Sequence, residues 1–304
     1  MAFLELTIAC TLEQFPLLEE ALECGGALAV TMSDAHLDAA DEQAIFEPGV
    51  GETPLWNEMT LNALFPGDTD RDALLTLLET CGPSIDWSLS SFRIVEDQDW
   101  ERAWMDDYHP LPFGSRTWIV PWNSELPSDA SSNAAVIRLD PGLAFGSGTH
   151  PTTALCLSWL DTLSVEGTLD GARVLDFGCG SGILAIAALK LGASSAVGVD
   201  NDPQAIIATR DNAERNEVSP LMSVYLPEDE PASEYPVVVA NILASALIEL
   251  NAVIGARVAP GGVLAMSGIL AGQEQEVMDA YADRFTDLRA TAQDDWMLVT
   301  ARRL

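Results

Sequence analysis

A short apolar run opens into three closely spaced glycines at Val174-Leu175-Asp176-Phe177-Gly178-Cys179-Gly180-Ser181-Gly182, and the apolar segment Ile183 to Leu191 follows at once. A strand, a glycine turn and a helix in that order suit a ligand, because glycine lets backbone approach it closely and a helix start presents N–H donors. The next strand-like segment ends Gly198-Val199-Asp200, and Asp200 lies 22 residues beyond Gly178. A carboxylate there can accept hydrogen bonds from both hydroxyls of a ribose. A third apolar segment, Val237 to Ala240, ends in Asn241. Adjacent parallel strands line one crevice with their carboxyl ends, so Gly178, Asp200 and Asn241 are expected to converge on one nucleotide-bearing cofactor. Taken singly, each has a blander reading: a tight turn without a ligand, or a solvated strand-end aspartate.

Two cofactor classes compete for this turn. Nicotinamide enzymes use G-x-G-x-x-G, whereas this turn spaces its glycines G-x-G-x-G after the acidic Asp176. The spacing resembles that of S-adenosyl-L-methionine-dependent methyltransferases of the Rossmann-like class; the strand-end acid serves both classes and does not choose between them. Amino-methyltransferases of planar amides and bases carry Asn/Asp-Pro-Pro-aromatic where this chain has Asn241-Ile242-Leu243-Ala244, which points away from such substrates.

Upstream stands D-P-G-L-A-F-G-S-G-T-H-P-T-T, Asp140 to Thr153. Together with L-D-F-G-C-G-S-G-I-L-A-I-A-A-L-K-L-G-A, G-V-D-N-D-P-Q-A-I, R-D-N-A-E-R-N, V-V-V-A-N-I-L-A and W-E-R-A-W-M-D-D-Y-H-P at Trp100 to Pro110, it closely resembles the bacterial methyltransferases of large-subunit ribosomal protein eleven. The resemblance runs the length of the chain and is strongest between residues 96 and 244. It implies a protein methyltransferase that moves methyl groups from S-adenosyl-L-methionine to lysine side chains and the N-terminal α-amine of that ribosomal protein. By position, Thr153 would contact the methionine end of the cofactor, Gly178 its backbone-facing side, Asp200 the ribose, and Asn241 the rim near the transferred methyl. The spacer Thr162 to Ala172 is slightly longer than the family's, which lengthens a loop and leaves the site intact. No residue is assigned as a catalytic acid or base. His109 and His150 stand in motif positions, but a hydrogen bond that fixes a loop is the commoner role, and water can accept the proton. Trp100 and Trp104 read as helix packing rather than a substrate ledge, and Cys179 as a small packed residue rather than a nucleophile.

The elements that position these residues can be read from periodicity. Phe3 to Ile8 alternates as a strand, Glu13 to Cys24 sets Phe15, Leu18, Ala21 and Leu22 on one helical face, and Ala27 to Met32 is a second strand. A strand near Trp56 to Leu64, a helix from Asp70 to Thr80 and a last strand Trp87 to Val95 complete β-α-β-β-α-β, the ferredoxin-like order. Residues 1–95 are therefore expected to form a ferredoxin-like α+β domain, which the resemblance makes the substrate-recognition domain, 96–107 a linker helix, and 108–304 the methyltransferase domain. From Gly171 strands and helices alternate: Val174 to Phe177, Ile183 to Leu191, Ala196 to Val199, Asp202 to Arg215, Val237 to Ala240, Leu243 to Val258, Val263 to Ser267. That rhythm predicts an α/β fold, a Rossmann-like parallel sheet with helices on both faces.

Composition excludes other classes. With 304 residues, 48% of them hydrophobic, the chain can bury the cores of two domains. Forty-seven acidic residues stand against 14 basic ones, a net charge of -33, which repels phosphate backbones and makes nucleic acid a poor partner. No apolar run is long enough to span a membrane, and MAFLELTIAC has no basic leader, so a cytoplasmic protein is expected. Five cysteines, Cys10, Cys24, Cys81, Cys156 and Cys179, show no C-x-x-C pair or metal spacing and are expected to be reduced thiols without a metal. The alternatives left open are a non-catalytic ribosome-assembly binder on the same fold and a nicotinamide oxidoreductase, the latter lacking its third glycine. Residues 1–95 carry a balance of −15, which would steer a basic ribosomal protein, while acidity as a salt adaptation is the rival reading. The two predict opposite results in a salt series of initial methylation rates below substrate saturation. The Debye length falls from about 8 Å at 0.15 M to about 3 Å at 1 M. Steering therefore predicts a falling specificity for the ribosomal protein at nearly constant cofactor affinity; salt adaptation predicts activity that holds or climbs.

Overall fold

The computed structural model describes residues 2–36, 55–96, 109–128, 130–139 and 150–304. The expected linker helix with Trp100 and Trp104, and the block Asp140 to Thr149, lie outside these. The chain divides into two compact units, Met1–Ala103 and Trp104–Leu304.

In the first unit β1 (Phe3–Thr11), β2 (Ala29–Asp34), β3 (Glu58–Pro66) and β4 (Ser91–Val95) form one sheet in the order β2-β3-β1-β4, every neighbour antiparallel. That is the ferredoxin-like arrangement. Alternation puts Leu4, Leu6, Ile8 and Cys10 of β1 and Met59, Leu61, Ala63 and Phe65 of β3 on one face. There they meet Leu18, Ala21 and Leu22 of α1 (Phe15–Cys24) and Leu74 and Leu78 of α2 (Arg71–Cys81). Asp70 caps α2 by accepting from Ala73 N–H at 2.9 Å. The stretch expected as one strand from Trp87 is instead a 3-10 turn, Trp87–Leu89, before β4; the buried Trp87 indole donates to Gly82 O at 3.1 Å and pulls the chain out of the sheet.

The cysteine expectation fails here. Cys24 and Cys81 form a disulfide, whereas Cys10, Cys156 and Cys179 are buried free thiols. The pair is 57 residues apart with no motif to announce it. It is made by α1 and α2 packing side by side, which brings their last residues together.

In the second unit seven strands run β10-β9-β8-β11-β12-β14-β13, where β8 is Arg173–Phe177, β9 Ser195–Val199, β10 Met222–Tyr225, β11 Tyr235–Asn241, β12 Val258–Leu270, β13 Phe285–Gln293 and β14 Trp296–Arg303. Strands β8 to β12 are parallel, but β14 enters antiparallel between β12 and β13, so the sheet is mixed rather than wholly parallel. The exposed, polar β13 gave no apolar signal in the sequence. Both sheet faces are covered. Val174, Val237 and Val239 join one core with α3 (Pro151–Val165) and α4 (Ile183–Lys190); Leu175, Val238 and Ala240 join the other with α6 (Ala244–Glu249), α7 (Asn251–Arg257) and α8 (Glu274–Tyr281). The single helix expected from Leu243 to Val258 is broken at Leu250, where the Asn251 amide donates to Ile248 O at 2.6 Å. Helix α5 (Pro203–Arg215) is capped by Asp202, which accepts from Gln204 N–H at 2.8 Å.

A smaller sheet, β5 (Leu111–Phe113), β6 (Thr117–Val120) and β7 (Ala135–Arg138), is pinned to α3 by one side chain. Asp161, 2% exposed, accepts from the backbone N–H groups of Ser115, Arg116 and Thr117 and from the hydroxyls of Ser115 and Thr117, all within 3.0 Å. Burial works to raise this carboxyl, but the Ser115, Thr117 and Arg116 donors outweigh it and hold it below the ordinary aspartate range. Among the described residues no helix is long and apolar enough to cross a membrane.

A group whose folded pKa is depressed contributes stability that is present above its unfolded value and lost as pH falls through the folded one. Asp161→Asn should therefore cost about 1.5–3 kcal/mol at neutral pH. In denaturant titrations repeated toward acid, that cost should shrink once the pH drops below about 3.9, the unfolded aspartate value.

Candidate functional site

The order of the large sheet reverses between β8 and β11, and beyond the carboxyl ends of these strands the crevice of an open α/β sheet forms. From β8 the chain enters the glycine turn. Gly178, Gly180 and Gly182 all take positive φ, at 78°, 52° and 78°, a region other residues enter only with strain. The turn is held from outside: Gly178 N–H and Cys179 N–H donate to Val199 O, the Thr209 hydroxyl donates to Gly180 O, and the Asn212 amide donates to Ser181 O. Asp200 leaves β9 half-buried, accepting from Gly180 N–H at 2.8 Å and, through Oδ1, from Asp202 N–H at 3.0 Å. Val199 and Asp200, adjacent at the end of β9, thus hold successive N–H groups of one turn, Gly178 and Cys179 through the one and Gly180 through the other.

Asn241 ends β11 opposite Ser267 of β12, and its amide Nδ2 lies 3.4 Å from the Thr153 hydroxyl of α3. Thr153 is fully buried. The four residues singled out from the sequence therefore fall into two groups at one end of the sheet, Gly178 and Asp200 at the glycine turn and the end of β9, and Thr153 in contact with Asn241. Two buried side-chain atoms among the described residues have no hydrogen-bond partner, and both belong here: Asn241 Oδ1 and Asp176 Oδ1. A buried orphan acceptor is costly unless a donor reaches it. Both fit a ligand that brings N–H groups or positive charge, and the glycine turn offers the close backbone approach a nucleotide needs.

Asp176 is fully buried at the end of β8, its Oδ2 accepting from Ala185 N–H in the first turn of α4 at 3.1 Å. Burial pushes its carboxyl up to about 7; the Ala185 N–H works against that and the neighbouring charge of Asp200 adds to it. Burial and the nearby Asp176 push the Cys179 thiol far above its usual range, so it stays protonated and packed.

Several contributors carry no sequence signal. Trp296, at the start of β14, stands edge-on to His150 with ring centroids 4.7 Å apart, yet the two are far apart in the chain. His150 caps α3, its Nδ1 accepting from Thr152 N–H at 3.3 Å, and burial lowers its pKa. The Ser267 hydroxyl donates to Met297 O at 3.1 Å, tying β12 to β14 beneath Asn241. Of the other histidines, His109 is exposed and His36 Nε2 lies 3.1 Å from Glu58 Oε2. Among the described residues no cluster of His, Cys, Asp or Glu is arranged to hold a metal.

The model of the family described as ribosomal protein L11 methyltransferase matches residues 2–304. A ribosomal protein L11 methyltransferase of Stenotrophomonas maltophilia is 64% identical over 304 residues, covering 100% of this chain and 99% of the relative. One of Xanthomonas euvesicatoria is 60% identical over the same shares. The crystal structure of a ribosomal protein L11 methylase from Lactobacillus delbrueckii superposes with a TM-score of 0.52 at 30% identity, covering 64% of this chain and 98% of that one.

A carboxyl raised on folding contributes its stability fully below the unfolded value and loses it as pH rises through the folded one. Asp176→Asn keeps an acceptor for Ala185 N–H and removes the titration. Its melting temperature relative to the unsubstituted protein should therefore climb from about pH 4, near the unfolded aspartate value, to about pH 7 and level off above that; a flat difference between about pH 4 and about pH 7 contradicts a buried, raised carboxyl.

Proposed function

Because the chain belongs to the ribosomal protein L11 methyltransferase family, we propose that it transfers methyl groups from S-adenosyl-L-methionine to amino groups of ribosomal protein L11, both lysine side chains and the N-terminal α-amine. The observation that carries this reading is the pair of partnerless acceptors, Asn241 Oδ1 and Asp176 Oδ1, beside the Gly178–Gly182 turn. When bound, the cofactor supplies a methyl already activated on a positively charged sulfur. The task left to the protein is placement of a neutral amine in line with that methyl, which needs neither a metal nor a covalent nucleophile.

Each residue then has a definite part. The glycine turn lets backbone lie against the cofactor, with Gly178 facing it, and Asp200 takes the ribose hydroxyls. Asn241 Oδ1 accepts an N–H of the incoming amine and turns its lone pair toward the methyl. Thr153, through its contact with Asn241 Nδ2, fixes which amide atom faces the crevice at the methionine end. A lysine of pKa about 10.4 is neutral in roughly one molecule per thousand near pH 7.4, and an α-amine of pKa about 8 in roughly one fifth. A cationic neighbour and burial both lower an amine's pKa and release its proton, which water can take. Methylated amines remain nucleophilic, so transfer can repeat. The N-terminal ferredoxin-like domain, residues 1–95 with a balance of −15, recognises the basic substrate. A ribosomal protein substrate supports a cytoplasmic location for the enzyme.

The experiment is transfer of labelled methyl from S-adenosyl-L-methionine by the full chain in a mixture of ribosomal proteins. Label should appear in ribosomal protein L11; label elsewhere, or none, overturns the reading. Hydrogen bonds to a charged carboxylate contribute about 1.5–3 kcal/mol, so Asp200→Ala should weaken cofactor binding by calorimetry at least roughly tenfold. Unchanged affinity removes Asp200 from the site.

A further inference from the structure

Ile242 follows Asn241 and has an aliphatic side chain with no chemistry of its own, yet two glycines leave room for it. A Cβ at Gly178, φ 78°, would lie 2.2 Å from Ile242 Cγ2. A Cβ at Gly268, φ 85°, would lie 2.2 Å from the Ile242 carbonyl oxygen and 2.7 Å from its carbonyl carbon. Both distances are shorter than side chains tolerate. At Gly268 the obstacle is backbone, which cannot swing aside as a flexible side-chain end can. Residue 242 is thus held on two sides, through its side chain by the cofactor turn and through its carbonyl by β12. Asn241, one residue earlier, is tied to the same strand by its register with Ser267 and to α3 by the Thr153 contact.

We infer that Ile242 is a positioning residue: wedged between Gly178 and Gly268, it keeps the Asn241 amide at one fixed separation from the glycine turn, and so sets the distance between amine and methyl. The inference rests on the reading of Asn241 given under Proposed function. Its physical basis is the steepness of in-line transfer, in which a misplacement of about 1 Å can cost on the order of a hundredfold in rate. A side chain at residue 268 would push the 242 carbonyl, and Asn241 with it, while leaving the hydrogen bonds around Asp200 in place.

The test compares two alanines in one strand. Gly268→Ala adds left-handed strain and the contact with Ile242; Gly261→Ala, at φ 73° with no atom within 4 Å of its Cβ, adds the strain alone. Melting temperature, the Kd for S-adenosylhomocysteine by calorimetry, and kcat and KM for ribosomal protein L11 are read on each full-length variant. Both should melt lower, Gly268→Ala by more because it adds the backbone contact to the strain. Only Gly268→Ala should lose kcat, at least tenfold, with KM and Kd within threefold of the unsubstituted chain; a kcat equal to that of Gly261→Ala overturns the inference. Should Gly268→Ala fail to fold, Ile242→Ala and Ile242→Val decide it. The alanine, without Cγ2, should lose kcat at least fivefold, and the valine, which keeps Cγ2, should recover most of it; equal kcat in both overturns the wedge. Asn241→Ala separates the two ways of being wrong. Unchanged kcat there overturns the reading of Asn241 and the wedge with it, whereas a collapsed kcat there beside unaffected Gly268→Ala and Ile242→Ala overturns the wedge alone.

Discussion

Backbone must pass close to backbone at the carboxyl ends of β8, β11 and β12, and the remainder of the site follows from how the chain permits it. Glycines at residues 178 and 268 take left-handed conformations and leave no side chain where Ile242 has to lie. With that contact made, β11 can end at Asn241 and the turn after β8 can open toward Asp200. Sheet register then brings Ser267 opposite Asn241, and helix α3 delivers Thr153 to the same place. The crevice is therefore the consequence of packing at three strand ends rather than of any single loop.

Electrostatics decides what such a crevice accepts. Asp176 is buried with one oxygen unpartnered, Asp200 stands near it, and Asn241 presents a second unpartnered acceptor. Acceptors without donors favour a guest rich in N–H groups or carrying positive charge. The same acidity, spread over a chain of charge -33, repels nucleic acid and favours a basic protein. Local and long-range fields thus select in the same sense.

The N-terminal unit solves a different problem. A four-stranded antiparallel sheet with two helices on one face has a small core, and the Cys24–Cys81 bridge joins those helices at their last turns. A covalent tie there restricts the unfolded chain and holds the helix pair in place. The second unit has two cores, one on each face of its sheet, and its two cysteines, Cys156 and Cys179, stay free and buried.

The split βαββαβ order, the Rossmann-like alternation from Val174 onward and the glycine turn were all legible in the sequence, because period-two and helical patterning and glycine spacing are local signals. The family resemblance added roles for Thr153, Gly178, Asp200 and Asn241 on the same local footing. Contacts between residues distant in the chain were not legible. The Cys24–Cys81 bridge, the five donors around Asp161, the His150–Trp296 pair and the wedge of Ile242 between two glycines each join segments whose types carry no mark of one another. The antiparallel entry of β14 escaped for a related reason, since its partner β13 is an exposed edge strand whose polar residues bury almost nothing. Sequence by itself determined which segments become strands, turns and helices and which residue types end them. Only the tertiary structure decided which of those ends touch, because close packing is a property of surfaces brought together by the whole sheet and not of any stretch of chain.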